Sequence, residues 1–156
     1  MEAEGTAGPV GTMFLGEYRH TLDAKGRVIL PSAFRAQLQE GLVMAFGLDN
    51  CLTVHPLDEW TRVIENLRTL RSTDRRERMF ARMMTSSAHS DALDRQGRVT
   101  IPARLREYAS LTKDVTVVGA DARLELWDTD RWERYREQGM ADFANTEQPF
   151  NPGGLF

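Results

Sequence analysis

Fourteen residues from Leu22 to Arg35, LDAKGRVILPSAFR, return 71 positions later as LDRQGRVTIPARLR from Leu93 to Arg106, with Leu, Asp, Gly, Arg, Val, Pro and Arg at matched places. A chain containing two copies of one phrase must build the same local structure twice, and two copies are too few to stack as a solenoid. The expected architecture is therefore two similar halves packed as one pseudo-symmetric domain. The match runs on at an offset of 72 after one extra residue in the second copy: Gly47, Asp49, Leu52, Asp58 and Trp60 correspond to Gly119, Asp121, Leu124, Asp130 and Trp132.

Each half reads strand, turn, strand, short helix, strand, strand, helix. From Phe14 to Pro31 apolar and β-branched residues flank Asp23-Ala24-Lys25-Gly26-Arg27, a hairpin signal in which Gly26 supplies positive φ and Asp23 accepts from the turn amides. Pro31 suits the first helical position, with Phe34 and Leu38 four apart on one face; Pro102, Leu105 and Tyr108 repeat the arrangement. Leu42 to Phe46 and Leu52 to Val54 are β-like runs around the turn formers Asp49 and Asn50, and they match Val115 to Val118 and Leu124 to Trp127. A longer helix from near Pro56 is expected to bury Leu57, Trp60, Ile64 and Leu67, and its counterpart from near Asp128 to bury Trp132 and Tyr135. Asp74 to Met84 reads as a further helix, with Asp74 and Glu77 as a capping box. The fold class is α+β, a β-rich double repeat with peripheral helices. Residues 13–84 form the first repeat and 85–140 the second. Residues 1–12 and 141–156 lack a burial pattern and read as a disordered extension and a flexible tail, dispensable for folding.

With 41% hydrophobic and 28% charged residues the chain has the composition of a globular protein, and a half of about 70 residues would be marginal alone. No apolar run reaches the roughly 20 residues that span a bilayer, and the start has no signal-peptide pattern, so a cytoplasmic location is expected. The single Cys51 can form no intramolecular disulfide, reads as a small core residue, and leaves no zinc spacing. The net charge of −3 is uneven: residues 13–84 hold eleven Lys/Arg against nine Asp/Glu, and residues 85–156 hold nine against twelve. A local basic patch outweighs the chain's sum in attracting phosphates, so acidity overall does not exclude nucleic acid.

His20, His55 and His89, the lone cysteine and the carboxylates fall into no catalytic pattern, and the expectation is a protein without enzymatic activity, metal, cofactor or small-molecule substrate. The duplicated turn is the better candidate for function. Lys25 and Arg27 beside Gly26 place two cations and open amides where a backbone can approach phosphate or a guanine edge, and Arg19 on the incoming strand adds a third charge. The other reading of the same residues is structural, with Arg27 pairing Asp23 to fix the turn. Asp94, Arg95, Gly97 and Arg98 repeat the pattern and stay open to both readings. Because the first half is the more basic, its turn is expected to face the ligand and the second to hold structure. Met79, Phe80, Met83 and Met84 form a stripe suited to core or subunit contact, beside Arg75, Arg76, Arg78 and Arg82.

Met13-Phe14-Leu15-Gly16, the paired LDxxGR turns, Pro31 to Arg35, Arg75-Arg76 and Glu125-Leu126-Trp127-Asp128 together resemble the MraZ family of bacterial transcriptional regulators, whose relatives include the AbrB-like swapped-hairpin proteins. The resemblance covers about Met13 to Gly139 and departs only in the tails. It implies a double-split β-barrel core, assembled into a homo-oligomeric ring of roughly eight to twelve subunits. It further implies double-stranded DNA as partner, in the form of promoter direct repeats upstream of the division and cell-wall gene cluster that includes the family's own gene. The family's DxxxR signature falls on Asp23 and Arg27 and on Asp94 and Arg98, and the location implied is the cytoplasm at the nucleoid. Linked sites raise apparent affinity about 100-fold to 10,000-fold, which lets a modest patch suffice. The alternative is an AbrB-like antitoxin or protein-interaction module with secondary DNA binding, which expects one unit and a long tail where this chain has two units and a short one.

Overall fold

The computed structural model of the chain describes residues 13–145, which form eight strands, five α-helices and two single-turn 3-10 segments. The first half supplies β1 (Glu17–Thr21), β2 (Arg27–Ile29), α1 (Ser32–Arg35), β3 (Leu42–Phe46), β4 (Leu52–Pro56), α2 (Leu57–Leu67) and α3 (Arg75–Ser87). The second supplies β5 (His89–Asp91), β6 (Arg98–Thr100), α4 (Ala103–Tyr108), β7 (Asp114–Ala120), β8 (Arg123–Asp128) and α5 (Thr129–Ala144). The fold is mixed α and β, with antiparallel sheets.

The expected hairpin over Phe14 to Pro31 is not formed, and the halves exchange strands instead. The turn itself closes, with Asp23 N–H donating to the Arg27 carbonyl at 2.9 Å and Gly26 N–H to the Asp23 carbonyl at 3.0 Å. Beyond it, β1 leaves to pair along its whole length with β7, from Glu17 opposite Val118 to Thr21 opposite Asp114, while β2 pairs with β6. The second half reciprocates, with β5 pairing β3. Each of β1 and β2 keeps one open edge, as it would in a self-closed hairpin, but exchange gives each its partner from the other half and buries Val28 opposite Val99.

The six-stranded sheet runs β1-β7-β8-β4-β3-β5, and β2 with β6 makes a separate ribbon. Both registers are centred on repeat-related residues. In the ribbon Val28 faces Val99, its own counterpart at offset 71. In the large sheet Thr53 faces Glu125, its counterpart at offset 72, flanked by Leu52 opposite Leu126 and Val54 opposite Leu124. A twofold pseudo-axis therefore passes through both pairs.

Alternation decides what each sheet face buries. Leu42 and Met44, Leu52 and Val54, Val115 and Val117, and Leu124 and Leu126 share one face and meet Val28, Leu30, Phe34, Leu38, Val99, Ile101 and Leu105 in a single buried cluster. Each such side chain contributes roughly 1.5–3 kcal/mol on burial, and the cluster draws on both copies. On the other face His55, Thr116 and Trp127 are covered by helices: the ring of Trp60 on α2 lies 5.3 Å from His55, and Trp132 on α5 lies 5.2 Å from Trp127.

Several expectations need correction. Pro31 and Pro102 stand at the N-cap positions rather than first in their helices. Leu57 and Tyr135 are exposed, and Trp60, Ile64, Leu67 and Trp132 are only half-buried, so α2 and α5 cover the sheet with incomplete apolar stripes. Asp74 caps α3 by accepting from the amides of Arg76 and Glu77, but Glu77 reaches back to the Arg71 amide, at 2.7 Å, instead of the cap residue's own. Helix α5 continues through Ala144, into the segment read as tail; residues 1–12 and 146–156 lie outside the described residues.

Candidate nucleic-acid interface

Val28 and Val99 point into the core, so the same two-residue alternation turns Arg27 and Ile29 of β2 and Arg98 and Thr100 of β6 to the outer face of the ribbon. Arg27 lies opposite Thr100, and Ile29 opposite Arg98. Two Gly turns bound this ribbon. Each is locked by its aspartate: one oxygen of Asp23 accepts the amides of Lys25 and Arg27, both at 2.9 Å, and the other accepts Arg27 Nε at 2.7 Å. Asp94 does the same with the amides of Gln96 and Arg98 and with Arg98 Nε at 2.8 Å. Hydrogen bonding by the Arg27 amide, reinforced by its side chain and the Lys25 amide, holds the Asp23 carboxyl below its usual range, and the Arg98 amide and side chain do so for Asp94.

Only Nε of each arginine enters its pair, and among the described residues no hydrogen bond takes the Nη atoms of Arg27 or Arg98. A guanidinium fixed through one nitrogen keeps further donors in a defined plane, the geometry that suits phosphate or guanine O6 and N7. The structural and ligand-binding readings of the turn are thus compatible in one side chain.

Residue-level reading missed a second use of the phrase. Its closing arginine reaches the other copy's turn: Arg106 lies over Gly26 and Arg35 over Gly97, where a Cβ on Gly97 would stand 2.3 Å from Arg35 Nε. The glycines have φ of 76° and 80°, so the backbone favours glycine there, and any Cβ would also have to push the covering arginine side chain aside. The carbonyls of the same glycines accept from the opposite strand, Gly26 from Ile101 N–H at 2.8 Å and Gly97 from Leu30 N–H at 2.9 Å. Arg35 is anchored by donating from Nε to the Leu30 carbonyl at 3.1 Å. The matched Gly-to-Arg spacing in both phrases was the available signal, but sequence does not reveal that the reach is between copies. With Lys25, Arg27, Arg35, Arg95, Arg98 and Arg106, the two turns and their covering arginines gather six cations against Asp23 and Asp94.

Arg19 does not join this group through any contact: it is ion-paired with Glu133 on α5. The Met/Phe stripe is not core. Met79, Phe80 and Met83 are 55%, 42% and 46% exposed, and with Met84, Phe46, Leu48, Leu70 and Tyr108 they line an open cleft of about 760 Å³. Cys51 is fully buried, donates to the Leu48 carbonyl, and has its thiol pushed up to about 12 chiefly by burial.

Interleaved copies of one strand–turn–strand–helix unit, closed on a shared ribbon with two Asp-clasped arginines outward, define a pseudo-twofold double-repeat protein. Both copies are matched by one family model, described as "MraZ protein, putative antitoxin-like", over residues 13–83 and 84–150. A protein of Frankia alni named transcriptional regulator MraZ is 48% identical over 141 residues, 90% of this chain and 99% of the relative. One of the same name from Natranaerobius thermophilus is 44% identical over 133 residues, 85% of this chain and 93% of the relative. The chain belongs to the MraZ family.

Proposed function

We propose that this protein is a transcriptional regulator that binds double-stranded DNA by laying the outer face of the β2/β6 ribbon in the major groove. The names of its relatives support the regulatory role. The observation that carries the reading is the pairing of Arg27 and Arg98 on one exposed face of a two-stranded ribbon, each oriented by its own aspartate. B-DNA's major groove, about 12 Å wide, admits such a ribbon. The pseudo-axis makes the two turns equivalent, so the reading assigns both to DNA in place of the first alone, with Lys25 and Arg95 toward phosphates. On the family resemblance, the targets are direct repeats upstream of the division and cell-wall gene cluster, including the protein's own gene. The bound form is then a ring of roughly eight to twelve copies on the nucleoid, with the Met79, Phe80, Met83 and Met84 stripe in the contact between copies. The two sheets read together as the family's double-split barrel.

Anisotropy with a duplex from upstream of the protein's own gene, at several salt concentrations, tests this. Arg27→Ala and Arg98→Ala should each abolish specific binding with melting temperature and assembly mass retained, whereas Lys25→Ala should weaken binding on every sequence and flatten the salt slope by about one ion. If Arg98→Ala binds like wild type, only the first turn reads DNA; if both variants do, the ribbon is not the interface.

A further inference from the structure

The pseudo-twofold that relates the two copies is broken on the outer face of the ribbon. The arginines match, Arg27 with Arg98, but the residue two places on is Ile29 in one copy and Thr100 in the other. Ladder bonds from Leu30 N–H to the Gly97 carbonyl and from Ile101 N–H to the Gly26 carbonyl leave Arg27–Thr100 and Ile29–Arg98 as the closely spaced, non-hydrogen-bonded pairs. Ile29 thus stands beside the stem of Arg98. It is 41% exposed, turned outward among charges at a place where threonine suits the strand as well, as Thr100 shows. A second difference lies next to it. The Thr100 amide donates to Asp91 at 3.3 Å, and the place of Asp91 in the first copy is taken by His20. The Thr100 half of the face therefore has at its border a carboxylate that repels phosphate, where the first copy has an imidazole.

We propose that Ile29 reads the C5 methyl of a thymine, which gives the DNA site a direction although the two arginines that read it are symmetric. The inference rests on the reading that this face enters the major groove. Every base-pair edge there presents hydrogen-bond donors and acceptors, and thymine adds the one methyl group. An isoleucine pressed on a donor or acceptor strips it of water and returns no bond, whereas against the methyl it buries apolar surface on both sides. Thr100 carries a hydroxyl as well as a methyl and suits either kind of edge. With the pseudo-axis of the ribbon over the centre of a site, Arg27 and Arg98 meet mirror-related base pairs, and so do Ile29 and Thr100. Only the Ile29 half then insists on thymine, while the Asp91 carboxylate disfavours close approach of phosphate on the other side. One orientation of the protein on its site is favoured over the reverse.

The test is anisotropy with the full chain and a duplex from upstream of its own gene, in which single thymines are replaced by deoxyuridine, the same base without the methyl. At one position of each bound site the replacement should weaken binding about fourfold, as loss of one buried carbon does, and the mirror position should show no such loss. Ile29→Thr gives the first strand the residue that the second already carries, so it should keep its melting temperature. It should bind the thymine duplex about fourfold more weakly than wild type and no longer distinguish it from the deoxyuridine duplex. Thr100→Ile should create a second sensitive position, where a thymine set at the mirror place binds about fourfold better than deoxyuridine. Wild-type binding indifferent to every replacement overturns the inference and leaves the ribbon on the DNA. An Ile29→Thr variant whose preference for thymine is undiminished also overturns it, since another residue then reads the methyl. Equal sensitivity at the two mirror positions in the wild type overturns the direction. If Arg27→Ala and Arg98→Ala both bind as wild type does, the ribbon is not the interface and the inference falls with that reading.

Discussion

The two halves are alike where they meet and unlike where they end. Asp23 and Asp94 bind the same three donors, Gly26 and Gly97 take the same backbone, and Arg35 and Arg106 cover each other's turns. Beyond the matched helices α2 and α5 the likeness stops: the first half turns back through α3 to reach β5, and the second runs out along the longer α5. What has been kept in duplicate is the machinery of closure, because each copy completes the other and neither can drift alone. The unmatched ends are free to carry contacts with other molecules.

The largest expected effect tests whether closure is shared equally. Phe34 and its counterpart Leu105 are both buried, but Phe34 also meets the rings of Phe14 and Tyr18, each at 5.2 Å. Phe34→Ala should therefore cost about 4 kcal/mol and Leu105→Ala about 3 kcal/mol by urea unfolding. Equal losses would mean that the Phe14 and Tyr18 rings add nothing to the first half.

A second comparison sets His55 against Trp127, its counterpart at offset 72. Both are buried, but burial, reinforced by Arg123, lowers the His55 pKa from 6.5 to about 4. Between those values the unfolded chain binds the proton more readily than the folded one, so the stability is whole above pH 6.5 and is lost as pH falls toward 4. The loss should reach about 3 kcal/mol, and His55→Leu should remove that slope in urea midpoints taken from pH 7 to pH 4. An unchanged slope would move the pH response to another group.

The smallest effect tests reciprocity directly. Gly26→Ala and Gly97→Ala should each cost about 1–2 kcal/mol for the left-handed backbone, plus displacement of the arginine above. Arg106→Ala should recover part of the loss in Gly26→Ala and none in Gly97→Ala, with Arg35→Ala showing the converse. Additive pairs in both backgrounds would show that the covering arginines do not press on the turns.

The duplication was legible because a phrase can be matched to its copy at any distance, and the Gly turns and the β3–β4 and β7–β8 pairs because each is written in residues close together. Asp49 and Asp121, marked as matched turn positions, both adopt φ of 64°. The hairpin was misread for the same reason: the bonds that close the turn are local, while the partners of β1 and β2 lie in the other copy, and alternation states which face is buried without naming the neighbour. Arg35 and Arg106 escaped notice because an arginine ending a short helix reads as a solvated charge until the turn beneath it is in place. Met79, Phe80 and Met83 showed the converse ambiguity, since an apolar stripe looks the same whether its partner is the core or something outside it.

Strand exchange also governs how this chain comes into being. Glu17 pairs with Val118 and Phe14 bridges Asp121, so the first strand has no partner until roughly a hundred further residues have been synthesised. During that interval β1, β2 and the unpaired edge of β3 are exposed, and any second nascent chain offers the same complementary edges as the missing half. Yield should therefore fall as synthesis becomes crowded, through mispaired chains that exchange between molecules what the mature fold exchanges within one.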